Sequence, residues 1–269
     1  MNSISKEVQI VKLIYMVTWI FMVLAIIALG KSNYKVKNFK DKMIVNWKQS
    51  LSIVVLCYMS IFIGTWNASY LTNILGPITL FCQCLIGLTI AKSIDGYEPL
   101  PVTRAIIENK QAWRKIILMF GFGLLVVFLT VFIGAFSQSI CSNIFNEVNN
   151  SSEAVNMLPD NKWMLFFTLL SGAGIVEETI YRLIFLSLIL KITNRPWLSI
   201  VLSSLLFGLY HLTPINTMYS IYWQYPITQF VSTSLAGMIF GYFYVKRGYE
   251  TAVIGHTLAD WLPVLIFMK

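Results

Sequence analysis

The stretch Ser171-Gly172-Ala173-Gly174-Ile175-Val176-Glu177-Glu178-Thr179-Ile180-Tyr181-Arg182 decides how the chain is read, because it stands in the middle of an apolar run over residues 163–190. About 20 mostly apolar residues suffice for one helix to cross the hydrocarbon core of a bilayer. Apolar residues continue for about two turns on each side of the paired glutamates, so the charges fall inside a span and not at its ends. An ionisable side chain held there costs about 2.5–3.5 kcal/mol on insertion scales and is kept only where it pairs or lines water.

Composition supports a membrane setting. Of 269 residues, 57% are hydrophobic and 12% charged, with a mean hydropathy of +0.70. A soluble chain carries about 25% charged residues and is about half apolar, so lipid must cover part of this surface. Eight runs are long enough, or nearly so, to span: 9–30, 49–66, 71–91, 116–137, 163–190, 197–212, 226–245 and 250–267. The expected fold is an all-α, polytopic membrane helix bundle of about eight transmembrane helices, built as one domain over 1–269. The first run is too long for the core of a cleaved signal peptide and reads as a retained span. No internal repeat or low-complexity tract is visible.

Loop charge predicts the orientation. Loop 31–48 holds six Lys, loop 92–115 holds five Lys or Arg, and the turns 191–195 and 246–247 hold two each, so 15 of the 20 basic residues fall on one side. The other side has Lys6, Lys12, Lys162 and Lys269. The positive-inside rule then places both termini outside a plasma membrane. The net charge of +8 reflects this distribution and does not indicate nucleic acid as a partner. Loop 92–115 has the charge of an interfacial helix or of a solvated loop. The polar loop 138–162 carries an Asn-x-Ser sequon at Asn149 and Asn150, which matters only in a eukaryotic secretory pathway. Cys57, Cys82, Cys84 and Cys141 have no zinc-finger spacing and read as small buried hydrophobes.

Spans one to four contain no Asp, Glu, Arg or His in their interiors; the polar cost is concentrated later. Span six ends Phe207-Gly208-Leu209-Tyr210-His211, span eight contains His256-Thr257-Leu258-Ala259-Asp260, and the chain has no other histidine. Left unpaired, Glu177, Glu178, Arg182 and Asp260 would cost on the order of 10 kcal/mol. Helical spacing offers the remedy. Glu178 and Arg182 are four apart and share a face, as do His256 and Asp260. Glu177 is rotated about 100° from Glu178, free to point at water. Phe207 lies one turn from His211 and can pack beside its ring. A desolvated carboxylate can act as general base, a histidine can share the proton, and a second histidine with an Asp can hydrogen-bond a developing oxyanion. No Ser or Cys has an evident His partner, so direct attack by water is the expected chemistry. Ser171-Gly172-Ala173-Gly174 and Gly237-x-x-x-Gly241 permit close helix approach.

In these residues the sequence resembles the CPBP family, also called the Abi or type II CAAX prenyl endopeptidase family. Its pattern is E-E-x-x-x-R, F-x-x-x-H and H-x-x-x-N/D, here Glu177-Glu178-x-x-x-Arg182, Phe207-x-x-x-His211 and His256-x-x-x-Asp260. The resemblance covers only the C-terminal half. It implies a catalytic core over 163–267, with the spans in 1–137 of unassigned role. It further implies an intramembrane peptidase in which Glu177 activates water with help from His211, His256 and Asp260 bind the oxyanion, and Glu178 and Arg182 support them. Eukaryotic prenyl proteases carry Asn where this chain has Asp260, which puts prenylated substrates in doubt. Bacterial relatives process peptide signals or confer bacteriocin immunity.

Family members are often labelled metalloproteases, and Glu177, His211 and His256 would suffice as zinc ligands. The H-E-x-x-H spacing is absent, and a metal-free glutamate mechanism is favoured, with no cofactor assigned. The expected partners are a peptide or membrane-protein substrate and the lipid bilayer. Two rival readings are a non-enzymatic immunity or scaffold protein that binds a bacteriocin or a sensor kinase, and a proton-coupled transporter, for which no inverted repeat is seen.

Overall fold

The structure, a computed structural model, describes residues 13, 16–24, 27–28, 34–66, 74–147, 158–159, 161–216 and 218–267. Every regular element among them is helical: α1 (Tyr34–Thr65), α2 (Leu75–Ala91), α3 (Pro101–Ile107), α4 (Ala112–Phe145), α5 (Lys162–Leu169), two π-helical segments π1 (Leu170–Glu177) and π2 (Thr179–Leu186), α6 (Ser187–Thr193), α7 (Pro196–Tyr210), α8 (Tyr219–Tyr222), α9 (Pro226–Arg247) and α10 (Tyr249–Phe267). Among the described residues, two helical stretches are long and apolar enough to cross a membrane, Asn38–Thr65 and Ala112–Phe145, and Leu75–Ala91 and Pro196–Tyr210 are shorter apolar helices. The all-helical architecture agrees with the sequence. Residues 13, 16–24 and 27–28 are helical, and the rest of the run 9–30 lies outside the described residues, as does the sequon.

Three boundaries differ from expectation. The lysine-rich segment 31–48 is helical from Tyr34 onward. Met43, Asn46, Ser50, Val54 and Cys57 recur at helical spacing and are all buried, so one face of α1 packs on α2 well before the apolar run begins. Lys92 ties the two helices by donating to Asn46 (3.0 Å) and to Gln49, and Asn46 donates to Thr89 (3.3 Å). Second, α4 runs eight residues past the predicted end of span four at residue 137. Third, α4 begins at Ala112, ahead of the expected start at 116; the segment 92–115 before it, read as either an interfacial helix or a solvated loop, holds the short helix α3, whose first amides, Val102 and Thr103, donate to the Glu250 carboxylate (3.1 and 2.6 Å).

A matching cap closes the other end. The amides of Ile227 and Thr228 donate to the Glu147 carboxylate (2.9 and 2.7 Å), satisfying orphan donors at the start of α9. Burial pushes the Glu147 carboxyl up, and the hydrogen bonds from Thr228 and Ile227 outweigh it, leaving the group below the usual carboxylate range. Residues at 163–190 form one continuous but irregular rod, α5–π1–π2–α6. Within it Ser187 Oγ donates to the carbonyl of Arg182, five residues back, in keeping with the wider turn of a π-helix (3.3 Å). Such segments are rare and concentrate at functional sites.

Packing of α10 on π1 depends on Gly174. A Cβ there would overlap the Thr257 hydroxyl and approach the Val253 carbonyl to 3.3 Å. Gly121 on α4 has no such neighbour within 4 Å. Gly174→Val is expected to cost about 1–3 kcal/mol by overpacking and to lower the thermal unfolding midpoint in detergent. Gly121→Ala should leave it unchanged or raise it. An unaffected midpoint in Gly174→Val would count against this packing.

Candidate active site

The structure brings Glu177, Glu178, Arg182, His256 and Asp260 together, with His211 on the wall of the same cavity. Glu177 ends π1, Glu178 joins it to π2, and Arg182 lies one turn on. His256 and Asp260 project from successive turns of α10, and His211 follows directly on the last residue of α7.

At the base of the site, Arg182 and Glu178 form an ion pair (Nη1–Oε1 3.1 Å) in which neither side chain is exposed. Arg182 also donates to the Gly237 carbonyl through Nη2 (3.2 Å). Its guanidinium lies 4.4 Å from the centroid of the Phe207 ring and 5.3 Å from that of Phe240, within cation–π range of both. Gly237 admits this arrangement, since a Cβ there would come within 3.1 Å of Phe207 and 3.3 Å of Arg182 Nη2. The expected Glu178–Arg182 pair is therefore present, with a carbonyl and two aromatic faces completing the guanidinium's surroundings.

Glu178 has a second partner that helical spacing did not reveal. Its Oε1 lies 2.8 Å from His256 Nδ1. A carboxylate held by Arg182 can only accept, so Nδ1 carries the hydrogen and donates it. Glu178, rather than Asp260, thus orients the imidazole, and Nε2 is turned toward Asp260 Oδ2 (3.6 Å) and Glu177 Oε2 (4.0 Å). Phe240 stacks on the ring at 4.2 Å with an interplanar angle of 23°, and Phe207 meets it edge-on at 5.6 Å. Both separations exceed hydrogen-bond distance, so Nε2 has two carboxylates beside it without a direct bond to either.

His211 is fixed differently. Its Nδ1 donates to the Phe207 carbonyl (2.9 Å), which leaves Nε2 as the acceptor nitrogen. Phe207 packs edge-on to the ring at 4.7 Å, as its spacing predicted, and Tyr222 lies 5.7 Å away on the other side. The motif phenylalanine therefore touches both histidines and the arginine.

A cavity of about 770 Å³ opens over this arrangement and is lined by Glu177, His211, His256 and Asp260, together with Tyr222 and Phe240. The adjacent glutamates divide their work by exposure: the Glu177 side chain is 16% exposed and that of Glu178 is not exposed at all. Asp260, 42% exposed by side chain, stands nearer the open space. Glu178 Oε2 and Arg182 Nε are buried with no hydrogen-bond partner among the described residues. Among those residues no three His, Cys, Asp or Glu side chains are gathered as a ligand set for a metal ion. Phe240, Gly237 and Tyr222 are the site residues that sequence reasoning missed. Only Gly237 had a visible signal, and it read as ordinary helix packing.

No curated protein and no solved structure matches the chain. Residues 159–262 match the family model described as type II CAAX prenyl endopeptidase Rce1-like. That family is a membrane-associated protease family. The matched residues, which are similar to that family, contain all three motifs.

Proposed function

We propose that the protein is an intramembrane endopeptidase that hydrolyses a peptide bond in a membrane-associated peptide or protein with water activated by Glu177. One observation carries this reading: of two adjacent glutamates, one is locked behind the site with Arg182 while the other faces a cavity shared with both histidines and Asp260. A purely structural ion pair would not need the second carboxylate there. The reading includes a multi-pass placement in a bacterial plasma membrane, with about eight spans and both termini outside.

In the proposed reaction, Glu177 takes a proton from water as the water oxygen bonds to the peptide carbonyl carbon. His211, whose Nε2 is an acceptor, holds the water by its other hydrogen. The carbonyl electron pair moves to oxygen, and the oxyanion accepts from His256 Nε2–H and, when it holds a proton, from Asp260. Collapse breaks the C–N bond, and the departing amine leaves with the proton carried by Glu177. Glu178 and Arg182 act as positioning residues, holding His256 by its far nitrogen. Zinc on Glu177, His211 and His256 is the competing reading; these side chains are not gathered as a ligand set here and would have to draw together to hold it. Metal analysis of the purified protein with activity before and after chelation decides between them, and stoichiometric zinc whose removal abolishes cleavage would replace the metal-free scheme.

Glu177→Ala and His211→Ala are expected to lose about 10²–10⁴-fold in cleavage, the usual contribution of proton transfer by a positioned side chain, while still inserting in the membrane. Comparative peptidomics of membranes holding wild type or Glu177→Ala reads this directly; identical peptide profiles would rule the proposal out. Asp260 supplies a second test. An amide donates to an oxyanion without an added proton, whereas a methyl group donates nothing. Asp260→Asn should therefore keep cleavage and Asp260→Ala should lose it, judged by kcat at saturating substrate. Equal loss in both variants would give Asp260 a role other than donor.

A further inference from the structure

The described contacts sort the molecule into two ends. At one, Lys191 donates to the Ser93 carbonyl (2.5 Å), Tyr97 donates to the Tyr244 carbonyl (2.8 Å), and the Tyr249 amide donates to the Pro99 carbonyl (2.7 Å). The Lys92 and Glu250 contacts described above belong to the same end. At the other, Trp261 Nε1 donates to the Lys162 carbonyl (2.6 Å), Lys162 Nζ donates to the Leu265 carbonyl (3.2 Å), and Glu147 caps α9. The segments 31–48, 92–115, 191–195 and 246–247, which hold 15 of the 20 basic residues, meet at the first end. Lys162 is the basic residue described at the second.

The cavity belongs to the second end alone. Its walls come from 130–138 of α4, from Leu158 and 168–177, from 207–225, from 229–240 of α9 and from 256–263 of α10, so that α4 and α10 contribute the portions that run away from the lysines and α9 the portion that starts at the second end. Toward the basic end the reactive groups are backed by Leu183, Leu186, Tyr244, Tyr249, Ala252 and Val253, all buried in one apolar cluster. His256 and Asp260 lie 7 and 11 residues past Tyr249, so about 10–17 Å of packed helix separates them from the basic end. Lysine-rich loops mark the cytoplasmic side of a membrane protein.

The geometry points to a site loaded from the extracytoplasmic face, whose substrate is an exported peptide or a protein segment lying in the outer half of the membrane. A tail confined to the cytoplasm would have to cross the apolar cluster to reach Glu177. That the occupant is a substrate rests on the peptidase reading above; the side on which the mouth opens rests on the membrane orientation of the basic loops and not on any catalytic role.

Thiol accessibility tests the sidedness without any activity. The native cysteines are all buried, which keeps the background low. Ile215 at the mouth is 68% exposed and Trp163 at the same end 69%. In full-length protein displayed on spheroplasts, Ile215→Cys and Trp163→Cys should lose their free thiols to a membrane-impermeant maleimide, and Lys246→Cys should react only after detergent permeabilisation. Reaction of Lys246→Cys on sealed spheroplasts, or of the other two only after permeabilisation, overturns the proposal. Outward labelling with unchanged cleavage by Glu177→Ala would defeat the peptidase reading alone.

Discussion

One buried ion pair constrains the C-terminal half of this chain. Glu178 and Arg182 sit in the interior of a membrane-type bundle with no exposed surface, where either charge alone would be costly. Each must be answered by neighbours, and each neighbour comes from a different element. The Gly237 carbonyl and the Phe240 ring come from α9, Phe207 from α7 and His256 from α10. Satisfying one guanidinium and one carboxylate therefore fixes the mutual position of four elements. The same Oε1 serves Arg182 and His256 together, so the ion pair and the orientation of the imidazole cannot be altered separately.

Two adjacent residues are thereby placed in different surroundings, one buried with Arg182 and one lining the cavity. Glu178 is spent on the frame, and Glu177, displaced around the helix, is left for the cavity. The π-helical path through both residues bears on this separation, because it changes how far successive side chains are rotated from one another relative to an α-helix. Aromatic contacts extend the frame to the other reactive groups: Phe240 lies against His256 and Phe207 against His211. Under the proposed reaction, a few polar groups line a largely apolar cavity while the groups that aim them stay buried, which is the condition under which preorganised hydrogen bonds contribute most to a charged transition state.

Much of this was legible because membrane interiors make polar residues conspicuous. Glu177, Glu178, Arg182, His256 and Asp260 stand out against apolar runs, and four-residue spacing correctly paired Glu178 with Arg182 and placed Phe207 beside His211. What stayed hidden was of two kinds. Contacts between distant segments, such as Glu178 with His256 and Phe240 with both Arg182 and His256, have no periodic signature, and Phe240 is one more aromatic residue in an apolar helix. Local geometry that overrides the usual period was also invisible: nothing in Leu170–Leu186 announces a π-helix. The N-terminal half of α1 was misread for a simpler reason. Its buried face includes Asn46 and Ser50, polar residues whose burial is offset by partners such as Thr89 and the Asn46 carbonyl, so a search for apolar runs passes over it.

The helices outside the family match find a role in the same terms. A wide, irregular rod exposes backbone and small polar groups that a regular helix would satisfy internally, and lipid cannot serve them. Here α1 and α2 cover that side. Cys57 lies 3.6 Å from the Ser171 carbonyl and Cys84 lies 3.9 Å from the Thr179 hydroxyl, which in turn bonds Tyr249 at 2.8 Å. Leu88, Leu183, Leu186 and Tyr249 close the same layer in one buried cluster. These contacts fall directly behind π1 and π2, on the side away from the cavity. The N-terminal helices thus meet the C-terminal half in two ways: α1 and α2 pack behind the rod that carries Glu177, and α4 lends residues 130–138 to the cavity wall.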